Sequence, residues 1–187
     1  MPSTTPRLRS RARWRVRTQI AALSPARRHT VGIHTRAAGF LPFTLPGRRA
    51  VGVAWREARR LGHAHWGPGH LLIGLAGQED GVAARALRRL GLSQPHVSRL
   101  AAQITAGQGK DAASPAPRPA PDVIPAVLAE AAAQCDDHIG TGHLLLAMFR
   151  VSDRSAARAL AGAGAGEAEI RGAIADVLAG SGPEDPA

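Results

Sequence analysis

The stretch "HWGPGHLLIGL" at residues 65–75 returns 73 positions later as "HIGTGHLLLAM" at residues 138–148. Shifted by 73 residues, the sequence aligns with itself without a gap from about residue 51 to 104. Between His65 and Gly91, 13 of 27 positions match their partners, and the words "GHLL" and "AARAL" match in full. An internal duplication constrains the fold more than any single motif, because both copies must build the same unit. A unit of about 60 residues buries too little surface to be secure alone, so the two copies are expected to pack into one domain.

Each copy reads as four short helices. Val51, Ala54, Trp55, Ala58 and Leu61 fall on one helical stripe, and Ile124, Val127, Leu128, Ala131 and Cys135 form its counterpart. Gly62 is a natural stop for the first helix. In "GPGHLLIGLAG", Pro68 suits a first helical turn, and Thr141 takes that place in the second copy as an expected N-cap. Leu71, Leu72, Ile73 and Leu75 leave no polar face, so this second helix is expected to be central. A third helix carries Val82, Ala83, Ala86, Leu87 and Leu90 and stops at Gly91. A fourth shows Val97, Leu100, Ala101 and Ile104, mirrored by Ile170, Ala173, Ile174 and Val177. Aromatic residues are only 3% of the chain, so the core rests on small and aliphatic side chains, and the expected class is all-α. The expected layout is a basic disordered tail at 1–39, one repeat at 40–106, an Ala/Pro/Gly linker at 107–120, the second repeat at 121–179 and a short disordered tail at 180–187.

The net charge of +10 is concentrated at one end. Residues 1–50 hold 11 Arg and no acid, whereas the rest carries 13 basic against 14 acidic residues. The repeats are therefore nearly neutral, unlike a fold that carries a basic patch for nucleic acid. In "RLRSRARWRVR" six Arg alternate, which fits a solvated arm or an over-extended start of the reading frame, or else an arm that touches nucleic acid or anionic lipid. No apolar run approaches the ~20 residues of a membrane span. One cysteine, Cys135, excludes an internal disulfide and points to a reducing cytoplasm.

Catalytic motifs are scarce. The only lysine, Lys110 in "ITAGQGKD", has Ile104 and Asp111 where a phosphate-cradling loop needs Gly and Ser or Thr. There is no Gly-x-Ser-x-Gly elbow. His63, His65 and His70 cluster, but the second copy keeps only His138 and His143, with Asp136 in place of His63, and no pair has His-x-x-x-His spacing. A His in the first turn of a buried helix reads as a hydrogen-bonded structural residue. The expectation is a protein with no enzymatic activity, no metal and no cofactor.

The words "FT" (43–44), "A..EARRLGH" (54–63), "GPGHLLIGL" (67–75) and "DGVAARALRRLGL" (80–92) resemble the Clp N-terminal repeat, and "IGTGHLLLAM" and "SAARAL" carry the second copy. That doubled four-helix module stands at the front of ClpA- and ClpC-type AAA+ unfoldases. The resemblance covers roughly residues 40–179. It implies an all-α, pseudo-twofold domain that binds a Clp unfoldase, its adaptors or its substrates and does no chemistry itself. With the chain ending at Ala187 and no ATPase modules following, it also implies a standalone N-domain acting as an accessory of a Clp protease. The family typically reads Gly-Thr-Glu-His where this chain has Gly69 and Gly142 in place of Glu. In ClpC-type domains that Glu helps hold phosphoarginine, so the loss of a charge-assisted partner puts phosphoarginine reading in doubt. Both positions are expected to accept a restored Glu without unfolding. The remaining candidates for protein or ligand binding are Phe40 and Phe43 at an apolar groove, or alternatively in helix packing, together with Thr44. Nucleic acid, if it is a partner, is expected to bind through residues 1–39 only.

Overall fold

The computed structural model describes residues 43–108, 116–181 and 184. Eight helices run through them in two sets of four. The first set is α1 (Leu45–Leu61), α2 (Pro68–Ala76), α3 (Val82–Arg89) and α4 (Gln94–Ala106). The second is α5 (Val123–Gln134), α6 (Thr141–Ala147), α7 (Ser155–Gly162) and α8 (Glu167–Ser181). The all-α, two-repeat architecture read from the sequence is the observed one. The expected basic tail at 1–39 lies outside the described residues.

Helix boundaries follow from residue chemistry. The Thr44 hydroxyl caps α1 by accepting the Gly47 N–H at 3.2 Å. The helix ends where Gly62 turns left-handed at φ 78°. At the corresponding position of the second repeat, Cys135 takes the same left-handed turn at φ 57°. It is exposed, so it leaves the apolar stripe on which the periodicity had put it. That stripe is led by Val123, Val127 and Ala131. The third helices end alike, followed by Gly91 at φ 80° and Gly164 at φ 83°.

The core is built as the pattern demands. Leu71, Leu72 and Leu75 of α2 and Leu144, Leu145 and Leu146 of α6 are all buried. The α1–α2 crossing is very close: a Cβ on Gly74 would lie 2.2 Å from the Ala50 carbonyl oxygen.

The repeats do not merely sit side by side. The third helix of each packs on the fourth helix of the other, α3 on α8 and α4 on α7. Two short parallel pairings, which the helical periodicity does not disclose, tie the lead-in of each repeat to the other. β1 (His65–Trp66) pairs with β2 (Arg118–Pro119), and an isolated bridge joins Phe43 to Ile139. Arg118 and Pro119 thus belong to an element rather than to the expected linker. At the other end, α8 runs to Ser181, beyond the expected boundary at 179, and Glu184 folds back onto the domain.

Candidate functional site

The repeated word opens α2 and α6, and its histidines bind the chain to itself. His70 is fully buried, and its Nδ1 accepts the N–H of Gly67, the residue before the helix, at 3.2 Å. His143 does the same for Gly140 at 3.0 Å. With Nδ1 accepting, Nε2 carries the proton and donates outward. In the first repeat it faces His63 Nδ1 at 2.9 Å, and in the second it faces Asp136 at 3.0 Å. The replacement of His63 by Asp136 between copies therefore preserves an acceptor. Burial, with the neighbouring His63 as a smaller electrostatic cause, pushes the His70 pKa down to about 4. Burial also lowers that of His143, although Asp136 opposes the shift. These are structural imidazoles, as their place in the first turn suggested.

Glu130 of α5 is as deeply buried, held by Arg150 and by a two-point pairing with Arg171 of α8 at 2.9 and 3.1 Å. Burial raises its pKa, but the hydrogen bonds and charges of Arg171 and Arg150 outweigh that and keep the carboxyl below its ordinary value. Arg150 and Arg171 lie 20 and 41 residues from Glu130. No short motif in the sequence marks the cluster.

The two glycines at the candidate positions sit in different surroundings. A Cβ on Gly69 would lie 2.8 Å from Ile104 Cγ2 and 3.0 Å from Thr105 Cγ2 on α4. A Cβ on Gly142 would make ordinary contacts with Val82 and Ile174 at 3.5–3.7 Å. A Glu at Gly69, unlike one at Gly142, would therefore require Ile104 and Thr105 of α4 to shift.

Phe43 is buried in the core, and Phe40 lies outside the described residues. Thr44 is the candidate that presents a polar atom to a junction between repeats. It meets Thr141 there. Thr141 is not the N-cap of its own helix, as expected, because Gly140 holds that position. Its hydroxyl instead accepts the Ala83 N–H at 3.0 Å, capping α3 of the other repeat. Gly81 makes room for this, since a Cβ there would lie 2.9 Å from Thr141 Oγ1. Between the two threonines sits the carboxylate of Glu184. One oxygen accepts from Thr44 Oγ1 at 2.6 Å and from the Thr141 N–H at 3.0 Å. The other accepts from the Val82 N–H at 2.6 Å and from the Thr141 hydroxyl. Sequence reasoning missed Glu184, because "GPEDPA" reads as an ordinary polar tail.

The Clp repeat (R) N-terminal domain profile matches residues 42–163. The chain belongs to that family. The Clp N-domain assignment is supported by "Negative regulator of genetic competence ClpC/MecB" of Bacillus subtilis, 34% identical over 121 residues, which are 63% of this chain and 15% of that protein. Chloroplastic chaperone protein ClpC1 of Arabidopsis thaliana is 34% identical over 140 residues, 73% of this chain and 15% of its own length. The chain thus spans about a seventh of these relatives. Among solved structures, the Hsp104 N-terminal domain from Candida albicans superposes with a TM-score of 0.63 at 16% identity, covering 78% of this chain and 96% of that one. The ClpD N-terminal domain from Arabidopsis thaliana gives 0.57 at 23% identity, covering 73% and 96%. At these identities the two structures speak for the Clp N-domain fold alone.

Proposed function

We propose that this Clp N-domain is a non-enzymatic protein-binding module of the cytoplasm, an accessory that captures substrates or adaptors for an ATP-dependent Clp protease. The observation that carries the reading is the family match over residues 42–163, in a chain whose cross-repeat junction gathers hydroxyl and backbone donors around an acidic side chain. Such a junction fits recognition, because its donors are neutral groups that converge on the two oxygens of one carboxylate. The test is saturable binding of the purified protein to the Clp unfoldase of the same organism, by calorimetry, together with the degradation rate of an unstructured substrate by the assembled protease. The expected result is binding and a changed rate. Absence of both would overturn the reading.

A second role for residues 1–39 is favoured by one observation, the alternating Arg of "RLRSRARWRVR" in a segment without acids. We propose that any nucleic-acid affinity resides there and falls with salt at a log–log slope of about −0.9 per phosphate contacted on duplex DNA. Equal DNA affinity of residues 40–187 and the whole chain would reject it.

A further inference from the structure

We propose that Glu184 is a tethered occupant of an oxyanion cradle at the junction of the two repeats, so that its carboxylate competes with acidic partners for this cradle. The inference deepens the proposed binding role and rests on it only for the kind of molecule that would compete.

The cradle is pre-set by the fold. Thr44 Oγ1 already accepts the Gly47 N–H, and Thr141 Oγ1 already accepts the Ala83 N–H. With lone pairs committed to capping α1 and α3, both hydroxyl protons are directed away from the caps. Thr44 and Thr141 are 3% and 0% exposed, which holds their rotamers. The N–H groups of Val82 and Thr141 are the first of α3 and α6, and the N-caps Gly81 and Gly140 have no side chain to satisfy any helix-start donor. Four neutral donors thus converge on two oxygens from three helices of both repeats. Among the described residues, the other acceptor within reach of the Thr44 hydroxyl is the Ile139 carbonyl, at 3.5 Å. A side chain at Gly140 would crowd the bound carboxylate, its Cβ falling 3.1 Å from Glu184 Oε2.

The same junction on the other side of the domain has lost these donors. The backbone pairing makes Ala120 the counterpart of Thr44: the Thr44 N–H donates to Ile139, as the Ala120 N–H donates to Trp66. Pro68 stands where Thr141 would be and offers neither hydroxyl nor N–H. The N–H of Ser155, the counterpart of Val82, is taken by Asp153 at 2.9 Å. One cradle remains, and a residue of the chain itself fills it.

Glu184 meets the donors of the cradle through its two carboxylate oxygens. A carboxylate or a phosphoryl group from outside presents the same oxygens to the same donors. It must compete with a tethered group whose effective concentration is on the order of millimolar, so occupancy by Glu184 lowers its apparent affinity.

The experiment uses the whole chain with Glu184→Gln and Glu184→Ala. In proton–nitrogen correlation spectra, both substitutions should move the Val82 and Thr141 amide protons upfield, as a charged acceptor is lost. Inorganic phosphate and acetate are then titrated at constant ionic strength. At least one should bind Glu184→Ala about tenfold or more tightly than wild type, with shifts at Val82 and Thr141. A stronger response to phosphate assigns the outside group as phosphoryl, and a stronger response to acetate assigns it as a carboxylate. Unmoved amides on substitution, or equal affinities in wild type and variant, would overturn the proposal. If the amides and affinities change as expected but no Clp unfoldase binds, the functional reading fails and the tether stands. If the unfoldase binds and the amides do not move, the tether alone fails.

Discussion

At the scale of single residues, the paired histidines show how a repeated word can look like chemistry and serve structure. His70 spends one nitrogen on the Gly67 N–H and the other on His63, so protonating it requires breaking a buried contact. Its folded pKa of about 4 lies below the ordinary 6.5 of an exposed imidazole. Between those values the unfolded chain binds the extra proton, so stability is complete above pH 6.5 and is lost on acidification towards pH 4. The loss attributable to His70 amounts to about 3 kcal/mol. Urea titrations across this window should show it in wild type. His70→Gln should be less stable at neutral pH by about 1–3 kcal/mol, because a buried donor or acceptor loses its partner, and should lack this portion of the pH dependence. Equal pH dependence in the two proteins would refute the assignment. The sequence disclosed that these histidines begin a buried helix. That Asp136 stands in for His63 was visible as a substitution, but its equivalence as an acceptor needed the geometry, since hydrogen-bond direction has no periodicity to read.

At the scale of elements, the α1–α2 crossing depends on what Gly74 lacks. The nearest atoms to a Cβ there are Ala50 backbone atoms at 2.2, 2.9 and 3.2 Å, and these cannot turn aside as a side chain end would. Gly74→Ala should therefore separate two helices and cost about 1–3 kcal/mol or more by overpacking. Gly172 in α8 has open space where its Cβ would be, so Gly172→Ala should stabilise by up to about 1 kcal/mol through helix propensity. Opposite shifts of the urea midpoint at unchanged slope are the expected outcome. A single sign for both would show that propensity, not packing, governs glycine here. The helices themselves were legible because their apolar residues recur every three or four positions, as in Ile170, Ala173, Ile174 and Val177, all buried. The pairing of Phe43 with Ile139, and of His65–Trp66 with Arg118–Pro119, was not, because one or two paired residues are too few for any alternation to emerge. The Glu130 cluster escaped for a related reason: its three members come from separate parts of the second repeat.

At the scale of the whole molecule, the repeats hold each other in their folded shapes. Each third helix packs on the partner repeat's fourth, each lead-in strand pairs across the junction, and Thr141 caps α3 from the other half. Residues 43–108 alone should accordingly lack a cooperative thermal transition, whereas residues 43–184 should melt in one step, both followed by far-UV dichroism. A cooperative melt of the isolated first repeat would mean that the cross-junction contacts are dispensable. The sequence announced the duplication and hence the near-symmetry, yet it hid where the symmetry breaks, since Pro68 against Thr141 and Ala120 against Thr44 are small substitutions in a linear comparison. In three dimensions they decide valence. A duplicated receptor with two equal pockets can bridge its ligands into a network, and its avidity grows with clustering. On the tethered-occupant reading this chain has a single pocket, so it engages one acidic group at a time. It can hand a partner on but cannot cross-link two, and its binding curves should be those of a single site however crowded the partners become.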